Sequence, residues 1–245
     1  PPLWSAVSTE QSRELAHPCR ICIFVLAKCL IKMRKGLPAT RLSLETVRHR
    51  LRYSKRLLIN RRGDGVHSPF AFHFITKVVR NHRPFYCFAE LAPRVKEFYP
   101  LSQARRQRRI CELLFRASHA LRVQRVVHLG TSATPLKDYL EQTGYTTSWV
   151  SFATIEELAD HSAWTPDLVI VEDPSFYAQL HPYLKKWQEQ TAHLILAGYT
   201  LDRDALNQWK ALQAVCSARL RIDLLDLQFA FYDERLTTSS YKGIY

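Results

Sequence analysis

The stretch Arg125-Val126-Val127-His128-Leu129-Gly130-Thr131-Ser132 decides how the chain is read. An apolar run that stops at a glycine predicts a buried strand delivering the backbone into a turn. Towards the C-terminus the pattern alternates. It predicts a helix over 134–143, a strand over 148–152, a helix over 155–161 and a second buried strand, Asp167-Leu168-Val169-Ile170-Val171. A helix over 176–190, a strand over 193–197, a helix over 202–216 and strands over 219–224 and 228–233 follow. Alternating strands and helices predict an α/β domain over 123–245 with a mostly parallel, doubly wound sheet. The last two strands are too close for a helical crossover and must be antiparallel.

On the N-terminal side, residues 33–122 read as a basic helical region holding 21 of the 35 lysines and arginines and 5 of the 22 acidic residues. Apolar residues at helical spacing predict an amphipathic helix over 42–60, ending at Arg61-Arg62-Gly63-Asp64-Gly65. Ser68 is placed to cap a helix over 69–80 with Pro69 in its first turn, and a helix over 102–121 completes the region. Phe70, Phe72 and Phe74 are expected to pack in the core. A basic front on an acidic back suggests an anionic partner, nucleic acid or a membrane surface, at these helices; a solvated face is the competing reading.

With 47 % apolar content, the 245 residues can bury a full core. The six cysteines, at 19, 22, 29, 87, 111 and 216, are too scattered for a disulfide framework and fit a reducing, cytoplasmic setting. Cys19 and Cys22 lack a second ligand pair, so no metal site is expected. The run Ile21–Ile31 is too short to span a bilayer. Residues 1–32 are expected to be a non-native or disordered leader, with translation starting at Met33. The absence of Gly-x-Ser-x-Gly, P-loop and His-Glu-x-x-His patterns argues against serine hydrolases, nucleoside triphosphatases and zinc proteases.

From about Arg48 onward the chain resembles bacterial class I S-adenosylmethionine (SAM) methyltransferase-like proteins with an N-terminal helical region and a Gly-[Ile/Val]-His-Ser-Pro-Phe motif. The residues carrying the resemblance are Gly65–Phe70, Leu129-Gly130-Thr131-Ser132, Asp167–Asp173 and the terminal strands Ile222–Leu224 and Phe229–Tyr232. It implies a Rossmann-like sheet and SAM as cofactor, held by Gly130, Thr131 and Ser132, with Asp173 near the transferred methyl. It also implies substrate or cap contacts from His67 and Ser68. The chain departs from the pattern in three places: His128 replaces a glutamate, Ala133-Thr134 stands where a second glycine is expected, and the strand ending near 197 runs into Gly198-Tyr199. The end of the second strand carries no carboxylate unless Glu156 or Glu157 reaches back. Between His128 and Asp167 there is room for one strand where the family has two, so one strand–helix unit is expected to be lost.

Two readings follow. One is a SAM-dependent methyltransferase of unknown acceptor, a small molecule or an anionic macromolecule. The other is a non-catalytic pseudo-methyltransferase whose basic helices bind a partner.

Overall fold

Strand β1 (Arg125–Leu129) lies inside the sheet, with β2 (Ser148–Phe152) on one side and β3 (Leu168–Val171) on the other, both parallel to it. The computed structural model describes Leu51, Tyr53, Ser54 and residues 66–131, 133–160, 164–191 and 193–245. Beyond β3 come β4 (Ile195–Tyr199), β5 (Leu220–Asp223), β6 (Leu227–Phe231) and β7 (Ser239–Lys242). The seven strands run in the order β2-β1-β3-β4-β6-β5-β7. Only β6 is reversed: it inserts antiparallel between β4 and β5, and β7 adds parallel to β5 at the far edge. The antiparallel terminal pair is thus β5 and β6, as expected, and β7 is an additional strand. A single strand lies on the outer side of β1, consistent with the loss of one strand–helix unit.

The parallel strands read as continuous apolar runs because both faces of the sheet are covered. Val126, Leu168, Ile170, Ala197 and Ile222 point into one core, and Val127, Leu129, Val169, Val171 and Leu196 into the other. The first core is roofed by α1 (Pro69–His73), continued by a π-helical turn at Phe74–Val79, and by α2 (Cys87–Phe98), α3 (Leu101–Leu121) and α4 (Pro135–Glu141). The second is covered by α5 (Ile155–Asp160), a 3₁₀ turn at Pro174–Ala178, α6 (His181–Gln190) and α7 (Arg203–Val215). The helices from Pro69 to Leu121 therefore share one core with the sheet.

Several expectations shift. Residues 87–98 form a helix that the sequence reading left unassigned, with Pro93 inside it. The segment 176–190 is two elements, broken at Gln179 and Leu180. β4 begins and ends two residues later than expected. The helix expected over 42–60 lies outside the described residues except for Leu51, Tyr53 and Ser54, which are helical. The leader expected over 1–32, Cys19, Cys22 and Met33 also lie outside them.

Phe70 and Phe74 pack edge-on against Phe231, and Phe74 also against Phe229. Phe72, two positions round the helix, points outward and is 49 % exposed, a correction to its expected core role. Much of the basic character of α3 is consumed internally. Arg106 bonds Asp226 and the Leu201 carbonyl, Arg108 pairs with Glu112 at 2.6 Å, and buried Arg116 donates from Nε to the Val78 carbonyl at 3.1 Å. Among the described residues no helix is long and apolar enough to cross a membrane.

Candidate functional site at the carboxyl end of the first strand

In a doubly wound sheet the ligand crevice opens where neighbouring crossovers diverge, outside the carboxyl ends of the strands. Here that point lies between β1 and β3. Two backbone N–H groups, from Glu172 and Asp173, donate to the Leu129 carbonyl at 2.9 and 3.2 Å, and the Gly130 N–H donates to the Phe152 carbonyl at 3.0 Å. Gly130 and Asp173 are thus brought together. Gly130 has φ +159°, and a Cβ there would stand 3.1 Å from Glu172 Cβ and 3.2 Å from His128 Cε1. A side chain at 130 would press on both neighbours, which is a physical reason for glycine.

Beneath the turn lies a buried polar chain that sequence reading did not find. His128 is fully buried and stacks on Trp149 with ring centroids 5.2 Å apart. Its Nε2 is 2.9 Å from Glu172 Oε2 and its Nδ1 is 2.8 Å from Ser151 Oγ. A carboxylate only accepts, so Nε2 carries the hydrogen, and in the neutral ring Nδ1 accepts from the Ser151 hydroxyl. The second carboxylate oxygen, Oε1, accepts from the Tyr99 hydroxyl at 2.6 Å. Burial, reinforced by the Glu172 charge, holds the Tyr99 hydroxyl protonated far above the usual phenol range. Nothing local in the sequence marks this set: Tyr99 follows α2, Ser151 is in β2 and Glu172 follows β3.

The remaining candidates are distributed as follows. Thr131 is exposed, and Ser132 lies outside the described residues. Asp173 caps the 3₁₀ turn, accepting from the Ser175 N–H at 2.9 Å. Glu157 reaches back, but to the Ala153 N–H at 2.8 Å, while the Thr154 hydroxyl caps α5 by accepting from the Glu157 N–H at 3.3 Å and Glu156 in the same turn is exposed. Thr134, where a second glycine was expected, caps α4. After β4 comes Asp202, whose carboxylate accepts from the Ala205 N–H at 2.7 Å and starts α7; Ala197-Gly198-Tyr199 belong to the strand itself. Ser68 caps α1, accepting from the Ala71 N–H at 3.3 Å, and its own N–H donates to the Tyr241 hydroxyl at 3.3 Å. Phe70, two residues on, lines a recess with Gln124, Asp167 and Leu194, which lead into the amino ends of β1, β3 and β4. His67, exposed, and Ser68 therefore sit towards the opposite end of the sheet from Gly130. Among the described residues no three His, Cys, Asp or Glu side chains converge as metal ligands.

The topology is a mostly parallel, Rossmann-like α/β sheet in which the one reversed strand, β6, is inserted between β4 and β5. The chain is similar to two solved structures at a low level. One is cofactor-bound Rv0187 from MTB, 13 % identical, aligned over 68 % of this chain and 96 % of that one, with a TM-score of 0.41. The other is the O-methyltransferase TomG from Streptomyces achromogenes, involved in tomaymycin synthesis and in complex with SAM. It is 10 % identical over 68 % of this chain and 95 % of its own, with a TM-score of 0.40. No family model matches the sequence, and no curated protein matches it.

Proposed function

We propose that the chain is a SAM-dependent methyltransferase of unassigned acceptor, with the cofactor's methionine end at Gly130, Thr131 and Ser132 and with Asp173 beside it. The observation that supports this reading is the glycine turn at the switch point, where the last carbonyl of β1 accepts from the backbone that follows β3 and a Cβ at 130 would crowd His128 and Glu172. The polar residues fit in part. Glu156 is an exposed carboxylate beyond β2 that is available to ribose hydroxyls, whereas the Glu157 carboxylate already accepts from the Ala153 N–H. Bound SAM supplies a sulfonium-activated methyl group. What the chain supplies is alignment of an acceptor, by the backbone of the turn and the carboxylate of Asp173.

A second reading is favoured by a different observation. Glu172 and His128 satisfy each other, and Tyr99 takes the remaining carboxylate oxygen, so the floor of the crevice is a closed network. Such a network suits a scaffold that has given up the cofactor.

Calorimetric titration of the whole chain with SAM and with S-adenosylhomocysteine separates the two. Micromolar binding that is lost in Gly130→Val supports the enzyme. No heat at millimolar ligand leaves the scaffold.

A further inference from the structure

Away from the Gly130 turn, the strongest concentration of unlike groups around a recess lies where α3 passes the segment leading into α2. The recess has a volume of about 220 Å³ and is lined by His82, Arg83, Arg108, Arg109, Glu112 and Arg116, with Phe88 and Tyr245 as its apolar walls. That is smaller than the roughly 300 Å³ at which pockets for drug-sized ligands begin. Four arginines thus line the recess with a single glutamate.

Arg116 sets the character of the place. It is only 7 % exposed, and its Nε donates to the Val78 carbonyl, an acceptor left over at the end of the π-helical turn. Beyond that bond its guanidinium has no hydrogen-bond partner among the described residues. Burial lowers the pKa of Arg116; Glu112 opposes the shift and the like charge of Arg109 adds to it. Among the described residues Glu112 forms no ion pair with Arg116; its Oε1 accepts from Arg108 Nε at 2.6 Å. Arg109 lies over the Tyr245 ring at 5.0 Å, which fixes its stem and leaves its nitrogens as donors at the rim. A buried arginine with unspent donors, two more held in place beside it and a surplus of positive charge define a receptor for a compact, multiply charged oxyanion.

We infer that this recess binds a phosphoryl group, either free phosphate or the terminal phosphate of a monoester, with Arg116 as its buried donor and Arg83, Arg108 and Arg109 closing over it. The guanidinium fork matches phosphate oxygens in pairs, and the recess leaves room for the anion and a few waters. The site shares no residue with the Gly130 crevice and stands whatever that crevice binds.

The test is calorimetric titration of the full chain with inorganic phosphate against a sodium chloride background of equal ionic strength. Saturable binding is expected in the parent protein. Arg116→Met keeps the stem that fills the core and should weaken binding at least about tenfold, the loss of one charge-assisted donor pair. Glu112→Gln removes the competing carboxylate and should tighten binding several-fold. Because Glu112 is partly exposed, this variant decides the matter even if Arg116→Met fails to fold. Arg235→Ala, elsewhere on the surface, should bind as the parent does. Co-sedimentation with phosphatidylcholine vesicles carrying phosphatidate identifies the source. Retention that depends on Arg116 assigns a lipid phosphate, and phosphate binding without retention assigns a soluble one. No saturable phosphate binding, or binding unchanged by both Arg116→Met and Glu112→Gln, overturns the proposal.

Discussion

The Tyr99 hydroxyl donates to Oε1 of Glu172 at 2.6 Å and so ties the end of α2 to the end of β3. Glu172 is only 15 % exposed, and its other oxygen is engaged by His128. Removing the tyrosine hydroxyl leaves a largely buried carboxylate one donor short. Tyr99→Phe should lower unfolding stability by about 1–3 kcal/mol, read from the urea midpoint at constant slope. No change in midpoint would show that water replaces the hydroxyl without loss.

Gly198 makes a sharper case. A Cβ at this position in β4 would lie 2.3 Å from Trp209 Cζ3 and 2.6 Å from the Tyr177 hydroxyl, both on elements packed over the sheet. Trp209 is too confined to swing aside. Gly198→Ala should therefore cost about 1–3 kcal/mol or more by overpacking, seen as a lower thermal midpoint. An unchanged midpoint would mean that α7 shifts freely.

Asp233 carries a testable proton. Arg235, bonded to it through Nε and Nη2, is the chief cause of a carboxyl pKa pushed down to about 2, with His193 contributing a further bond at 2.8 Å. A folded pKa below the unfolded one, near 3.8, means that the stabilisation is complete above about pH 4 and is lost as pH falls towards 2. In Arg235→Ala the Asp233 midpoint should move up towards 3.8 in a carboxyl-carbon NMR titration. The Arg235 arm is wrong if the midpoint stays where it is.

Thiol chemistry provides a fourth measurement. Cys87, Cys111 and Cys216 are all buried, and burial is the main cause that raises each thiol pKa. Short iodoacetamide labelling at pH 8 followed by peptide mapping should leave these three unmodified in the native protein and modified after unfolding. Labelling of native Cys111 would contradict the packing of α3.

The sheet was largely legible from residues because its strands are buried on both faces and read as apolar runs cut by turn residues. Val126–Leu129 and Leu168–Val171 are strands of this kind. Where the signal failed, a specific competing cause was present. Pro93 reads as a helix breaker, yet α2 continues through it while burying Leu91, Ala92 and Val95. β7, Ser-Ser-Tyr-Lys, has no apolar run because it is a half-exposed edge strand. Glycine and tyrosine at 198 and 199 suggested that β4 had ended, whereas both lie within it, buried. In the candidate site, Gly130 was readable as a strand-to-turn glycine. The Tyr99–Glu172–His128–Ser151 chain was not, because it joins residues up to 73 positions apart and only the fold brings them together.

The widened turn at Phe74–Val79, where the Arg80 N–H reaches back five residues to the Ile75 carbonyl, amounts to one residue spliced into an otherwise regular helix. Each α-helical residue advances the screw by about 100°, so the extra residue sets which way the last residues face before the helix ends at Arg80. It lets Phe74, Ile75, Val78 and Val79 all face inward, and it aims the Val78 carbonyl at Arg116. Deleting one residue there would restore a regular helix and put Val78 and Val79 out of step with the core they now fill.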